Sequence, residues 1–362
     1  MTKSSYISAL LLVLFTYSLG AQSYDHSPTL TPIWARLGDV YGENGDVESV
    51  EFSPDARYIV SGTKYDNQVV LWRTSDGVEM WRYDTGHEIE RAGFSPNGEL
   101  IAVASEDFKV RLLDSKTGEM QKEIKLTQGI DGLVFSHNGK WLAAGEEQPG
   151  KGKEGLVHIF EMPGAKLKHT KKHKGTVNSL DFTKDDRYLL SLGGNTVVVW
   201  DTQTFEAIQT LKSEMPALLI TARFSPDGNL VAAGDNDGNV LVWDWKEEKL
   251  VRRFNSSGMK IEIVDWAPTG KYLVTGGFDN YLRIYRTDHI LSKNKYLPPV
   301  GMYDMGSFIE YLDFSPNGEL ICTANQDGSL RLWVFMKNDA NEADRRHRQL
   351  KKKQKAAVGS KQ

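Results

Sequence analysis

The chain of 362 residues is 40% apolar and 25% charged, the balance of an ordinary globular protein, and it is long enough to bury a large core. Its single cysteine, Cys322, excludes an internal disulfide, so stability must come from packing and strand pairing. The net charge of −4 is unevenly divided: residues 345–362 carry eight Lys and Arg and no acid, which leaves residues 1–344 at −12.

The N-terminus reads as an export signal. Lys3 precedes an almost uncharged apolar stretch over residues 7–19, and Gly20-Ala21-Gln22 gives a small-residue exit. That stretch is shorter than the roughly 20 residues of a spanning helix, and no later segment could cross a bilayer. An uncleaved anchor or a buried N-terminal helix is the other reading. The expected organisation is a signal over 1–21, a linker over 22–30, a folded unit over 31–337 and a basic tail over 338–362. Residues 31–37 (TPIWARL) form one strand ahead of everything that repeats.

A short phrase then returns seven times: FSPD at Phe52, FSPN at Phe94, FSHN at Phe135, FTKD at Phe182, FSPD at Phe224, WAPT at Trp266 and FSPN at Phe314. The intervals are 42, 41, 47, 42, 42 and 48 residues. Alternating apolar residues lead into each phrase (Val50/Phe52, Leu180/Phe182, Leu312/Phe314), the mark of a half-buried strand entering a tight turn. A second strand is expected after each phrase, over 57–62, 100–105, 141–145, 188–192, 230–234, 272–276 and 320–324. A turn with Asp follows, then a third strand closing on a large apolar residue at constant spacing, as from Asp66 to Trp72, Asp107 to Leu113, Asp237 to Trp243, Asp279 to Tyr285 and Asp327 to Trp333. Asp suits such a turn because its short side chain bonds nearby backbone N–H groups. A polar fourth strand comes last, as at 78–83 and 249–254. Repeats of forty-odd residues with four strands each predict an all-β propeller of seven four-stranded antiparallel blades. The seventh repeat is one strand short, and residues 31–37 are placed beside 330–334 to close the ring and remove an open edge.

The first strand of each blade lines the channel. The residue four before each phrase-opening aromatic is Glu48, Glu90, Asp131, Asn178, Ile220, Glu262 or Glu310, five of them acidic. They predict a ring of like charge at one rim. Carboxylates gathered there raise one another's pKa and favour a cation, a basic side chain or ordered water among them. A solvated acidic mouth, a docking site for a basic segment and a bound metal ion are the three readings. Metal fits least, because seven radial side chains stand too far apart for oxygens converging at roughly 2.0–2.6 Å. Glu51, Asp181, Asp265 and Asp313 are expected to extend the acidic lining deeper, against Arg223 alone. The insertion over 145–155 in blade three and the apolar entry to blade five, Met215-Pro216-Ala217-Leu218-Leu219-Ile220, are placed on the same rim. Cys322 is read as a buried apolar residue.

Trp200-Asp201 and Trp243-Asp244 close their third strands, and with the seven phrases this pattern resembles the WD-repeat β-propeller family over residues 30–336. Trp72-Arg73, Phe160-Glu161, Tyr285-Arg286 and Trp333-Val334 depart from the Trp-Asp pair, and Gly194 replaces a turn Asp. Only His173 keeps the distance of the family's Gly-His histidine. The resemblance therefore implies an incomplete His–Asp–Trp relay in every blade, and a role in scaffolding.

No Gly-x-Ser-x-Gly elbow, phosphate loop, His-Glu-x-x-His or cysteine pair occurs. The expected function is an exported, monomeric, non-enzymatic scaffold without a cofactor. It would bind protein partners, a basic segment among them, through Glu48, Glu90, Asp131, Asn178, Glu262, Glu310, Leu218, Leu219 and Ile220. A metal-dependent, lactonase-like propeller hydrolase with carboxylates at the mouth is one alternative. A binder of nucleic acid or anionic polymer through Arg345, Arg346, Arg348, Lys351, Lys352, Lys353 and Lys355 is the other.

Overall fold

The computed structural model describes residues 28–37, 45–214 and 217–336. The expected signal, linker start and basic tail, with Met215 and Pro216, lie outside the described residues.

Seven four-stranded antiparallel sheets form the seven blades. Blade one runs Val47–Phe52, Tyr58–Thr63, Gln68–Arg73 and Val78–Asp84 from the channel outward. The second strands of the other blades are Leu100–Ser105, Trp141–Glu146, Tyr188–Gly193, Leu230–Asp235, Tyr272–Gly277 and Leu320–Asn325, each within one residue of its expected bounds. The repeated phrase makes its turn through its serine. Ser53 Oγ donates to Asp55 Oδ1 at 2.7 Å and accepts from Tyr58 N at 2.9 Å, while Ser53 N donates to Tyr58 O at 2.8 Å. The one helix among the described residues is the single turn Thr287–Ile290, inside the long outer connection of blade six.

Ring closure is as expected. Thr29–Leu37 pairs antiparallel with Ser329–Met336, Leu30 opposite Phe335 and Ala35 opposite Arg331, with a register shift between Pro32 and Trp34. Proline cannot donate to a ladder, so a shift beside it on an outermost strand costs little. The same strand reaches into blade one: Trp34 Nε1 donates to Thr74 O at 2.8 Å and Arg36 Nε to Gly77 O at 2.9 Å. Trp81 repeats this one blade on, donating to Ser115 O at 3.0 Å. Gly77 and Gly118 take positive φ in the turns beneath, and a Cβ on either would fall within 3 Å of a Trp34 or Trp81 ring atom.

Core packing lies between blades as much as within them. Cys322 is fully buried with Val47, Phe52, Trp72 and Leu332 at the join of blades seven and one. The relay is replaced rather than merely lost. In blades two, six and seven, Asp107, Asp279 and Asp327 each pair with the arginine four residues on: Arg111, Arg283 and Arg331. In blade four, Trp200 Nε1 donates to Ser191 Oγ at 2.8 Å, and buried His173 Nε2 lies 3.2 Å from Ser191 O. In blade three, Glu146 lies 3.2 Å from His158 and accepts from Thr127 N at 2.6 Å.

Candidate functional site at the mouth of the channel

Every inner strand carries a register shift at the same place. The shifts fall between Val47/Ser49, Ile89/Arg91, Ile130/Gly132, Val177/Ser179, Leu219/Thr221, Ile261/Ile263 and Ile309/Tyr311. The residue skipped each time is Glu48, Glu90, Asp131, Asn178, Ile220, Glu262 or Glu310. A bulge leaves one residue outside the ladder and re-aims its side chain. Here all seven are re-aimed at one cavity of about 370 Å³, which they line together with Asp46, Lys64, Tyr65, Arg91, Lys260 and Phe278. The structure therefore brings together every position that the spacing singled out.

Charge in the cavity is strongly acidic and partly compensated. Lys64 Nζ bridges Glu48 at 2.9 Å and Glu88 at 2.7 Å, and Lys260 pairs with Glu262. Glu90 and Glu310 are less well served. Burial pushes Glu90 up to about 8, with Glu48 and Asp131 adding repulsion. Burial likewise pushes Glu310 up to about 9, with Glu48, Asp46 and Glu262 adding theirs, and Asp131 up to about 7. Protons on these carboxyls are what a basic group entering the mouth would displace.

Three residues from different blades meet in the channel. The Arg91 guanidinium lies over the Tyr311 ring at 4.2 Å, and Arg223 lies over it at 5.7 Å while donating to its hydroxyl. Arg91 and Tyr311 are residues that sequence reasoning missed. The deeper acids are half-buried and hydrogen-bonded. Glu51 Oε1 accepts from Phe94 N at 2.7 Å, Asp181 Oδ2 from Phe224 N at 2.8 Å and Asp313 Oδ2 from Phe52 N at 2.7 Å. Each ties its own blade to the next, with half-buried Arg223 as the cation facing them. All four carboxyls are half-buried with Arg223 facing them, as the sequence expected; three are inter-blade ties, and Asp265 holds Trp266 N at 2.8 Å within its own blade.

The apolar entry divides. Leu218 is 53% exposed and Ile220 lines the cavity, but Leu219 is 1% exposed and packs with Ala222 and Trp243. Leu219 is therefore withdrawn as a contact residue, because its ladder position points it into the core. The blade-three insertion reaches the mouth through Glu147, whose carboxylate lies within 4.8 Å of those of Asp131 and Glu106. Three carboxylates fall short of the six to eight oxygens calcium takes. The four residues of the hydrolase alternative, Glu48, Glu90, Glu262 and Glu310, do not form a converging group of this kind among the described residues.

Comparison with known proteins fits this architecture. The model of the WD domain, G-beta repeat, matches residues 164–201, 208–244, 248–286 and 305–334, and that of the anaphase-promoting complex subunit 4 WD40 domain matches residues 50–138. The chain belongs to the WD-repeat β-propeller family. It is similar to eukaryotic translation initiation factor 3 subunit I of Eremothecium gossypii, 23% identical over 288 residues that cover 70% of this chain and 80% of that protein. It is similar to target of rapamycin complex subunit wat1 of Schizosaccharomyces pombe at 24% over 251 residues (66% and 78%). It is also similar to autophagy-related protein 16 of Arabidopsis thaliana at 22% over 285 residues (75% and 54%).

These relatives are scaffold or regulatory proteins, and this chain is a non-enzymatic protein–protein interaction scaffold. They also correct the expectation of export: translation initiation, target of rapamycin complexes and autophagy are matters of the cell interior. No helix among the described residues is long and apolar enough to cross a membrane.

Proposed function

We propose that the scaffold engages its partners through the mouth face, with the carboxylates of Glu48, Glu90, Asp131, Glu262 and Glu310 receiving a basic segment. The observation that carries this reading is the set of seven coincident bulges, which spends a ladder break in every blade to aim those positions at one cavity. The cavity is too small for a folded domain and suits side chains of an extended segment. Two relatives are named as subunits of larger assemblies, which supports a role in assembly for this chain.

Charge reversal tests the reading. Glu48→Lys, Glu90→Lys and Glu310→Lys together are expected to abolish capture of the partners that the native protein co-purifies, with the far-UV spectrum unchanged. A folded triple variant that recovers the same partners at the same yield sinks it. Exposed charge attraction is screened over roughly 8 Å at physiological salt, so the wild-type interaction should weaken as salt is raised.

A further inference from the structure

We infer that Phe108, on the turn between the second and third strands of blade two, is an aromatic anchor that makes the mouth face select basic segments carrying large apolar side chains. The inference rests on the mouth face being the binding surface.

Ile89 pairs with Ser105, so the turn after Ser105 lies at the same end of the blade as Glu90 in the cavity. Tight turns at this place occur in six blades, and each has one residue in the left-handed region: Asn67 (φ 60°), Phe108 (65°), Gly194 (61°), Gly238 (82°), Asn280 (69°) and Gly328 (73°). Five of the six are Gly or Asn, the residues that take this conformation at least cost. Phenylalanine there is a backbone outlier, and its ring is 45% exposed, so burial does not repay the strain in full.

The turn is held down by its neighbours. Asp107 takes two hydrogen bonds from Arg111, at 3.0 and 2.5 Å, and Phe108 N donates to Ser105 O at 3.2 Å. Other exposed apolar side chains share the face: Tyr65 at 53%, Leu218 at 53% and Met259 at 46%. They surround a centre of carboxylates, and Glu106, two residues before Phe108, stands within 4.8 Å of Asp131 and Glu147. Charge complementarity thus sets the occupant as a cationic segment, and the apolar rim sets its neighbours as large apolar residues. Exposed aromatics beside desolvated charge are where a few residues carry most of a binding energy.

Three fluorescein-labelled hexapeptides test this by anisotropy: alternating arginine–leucine, arginine–serine and glutamate–leucine. The wild type should bind arginine–leucine most tightly and glutamate–leucine not measurably. Phe108→Asn should weaken the arginine–leucine peptide about tenfold, leave the arginine–serine peptide within about twofold, and raise Tm by about 2 °C or more through relief of backbone strain. Phe108→Tyr should keep the wild-type preference. Equal Kd for arginine–leucine in wild type and Phe108→Asn overturns the inference, as does a fall in Tm, which would make the ring a packing residue. Failure of both arginine peptides to bind wild type would instead strike the mouth-face reading itself.

Discussion

Deleting residues 28–37 should lower Tm by about 10 °C or more, or leave the protein unable to fold. The strand supplies eight registered pairings to Ser329–Met336, and at roughly 0.5–1.5 kcal/mol per net hydrogen bond its loss is of order 5 kcal/mol. For a domain of this size each kcal/mol moves Tm by roughly 1.5–2 °C. The deletion also removes the hydrogen bond from Trp34 to Thr74 O and that from Tyr303 Oη to Pro28 O, at 2.8 and 2.6 Å. It strips cover from Phe335, now 2% exposed. What remains is a three-stranded blade seven, with a bare edge along Ser329–Met336 that invites association with other chains. Thermal melts of the deleted and full chains decide it. A Tm within about 2 °C of wild type would mean that the ring does not need its closing strand.

Arg223→Met should be the most damaging single substitution in the channel, and its cost should depend on pH. Arg223 is half-buried, donating to Ser179 Oγ at 2.8 Å, Ala222 O at 2.9 Å and the Tyr311 hydroxyl. It is the cation facing Glu51, Asp181, Asp265 and Asp313. Removing one partner of a buried charge cluster costs about 3–5 kcal/mol. Burial pushes Glu51 up to about 7 and Asp265 and Asp313 up to about 8, with mutual repulsion adding to the shifts of Asp265 and Asp313. An acid whose folded pKa is raised contributes stability that is fully present below its ordinary value near 4 and is lost as pH climbs through the folded value. Wild-type stability should therefore decline from about pH 4 until these carboxyls have ionised in the folded protein, near pH 9. Without Arg223 the ionised carboxyls are less tolerable still, so the variant should decline more steeply and lie furthest below wild type at pH 9. Denaturant melts across that range measure it. A stability difference that is flat with pH would show that Arg223 acts by packing alone.

What the sequence made legible follows from the repeat. Seven phrases in register fixed the blade number, the second-strand bounds and the strand missing from blade seven. Because the repeats align, counting four residues back from each aromatic found the mouth positions without any knowledge of direction. The bulge that turns those residues inward was invisible, since an alternating pattern says which residues are apolar and not where a ladder skips. The Arg91–Tyr311–Arg223 cluster was equally hidden. Arg91 and Tyr311 share one repeat position, three before the aromatic of blades two and seven, and Arg223 stands one before that of blade five, but only closure of the ring brings them together. Glu51, Asp181 and Asp313 were found as acids facing Arg223, but their inter-blade bonds were not, because a carboxylate that accepts a neighbouring blade's N–H looks like any other acid in one dimension. Leu219 was taken with Leu218 and Ile220 as a run, although alternation along its strand assigns it to the core. The Asp107, Asp279 and Asp327 pairings had a usable signal in the arginine four residues on. The export reading rested on Lys3, the apolar stretch 7–19 and the exit at Gly20-Ala21-Gln22, and the relatives overrule it.

The central claim is that partners meet the mouth face. Hydrogen–deuterium exchange with and without the arginine–leucine peptide tests it most directly. The account predicts added protection in residues 46–49, 64–67, 88–91, 106–108 and 129–131, with none in the turns of the opposite face at 53–57, 95–99 and 225–229. Protection confined to those opposite turns would contradict it.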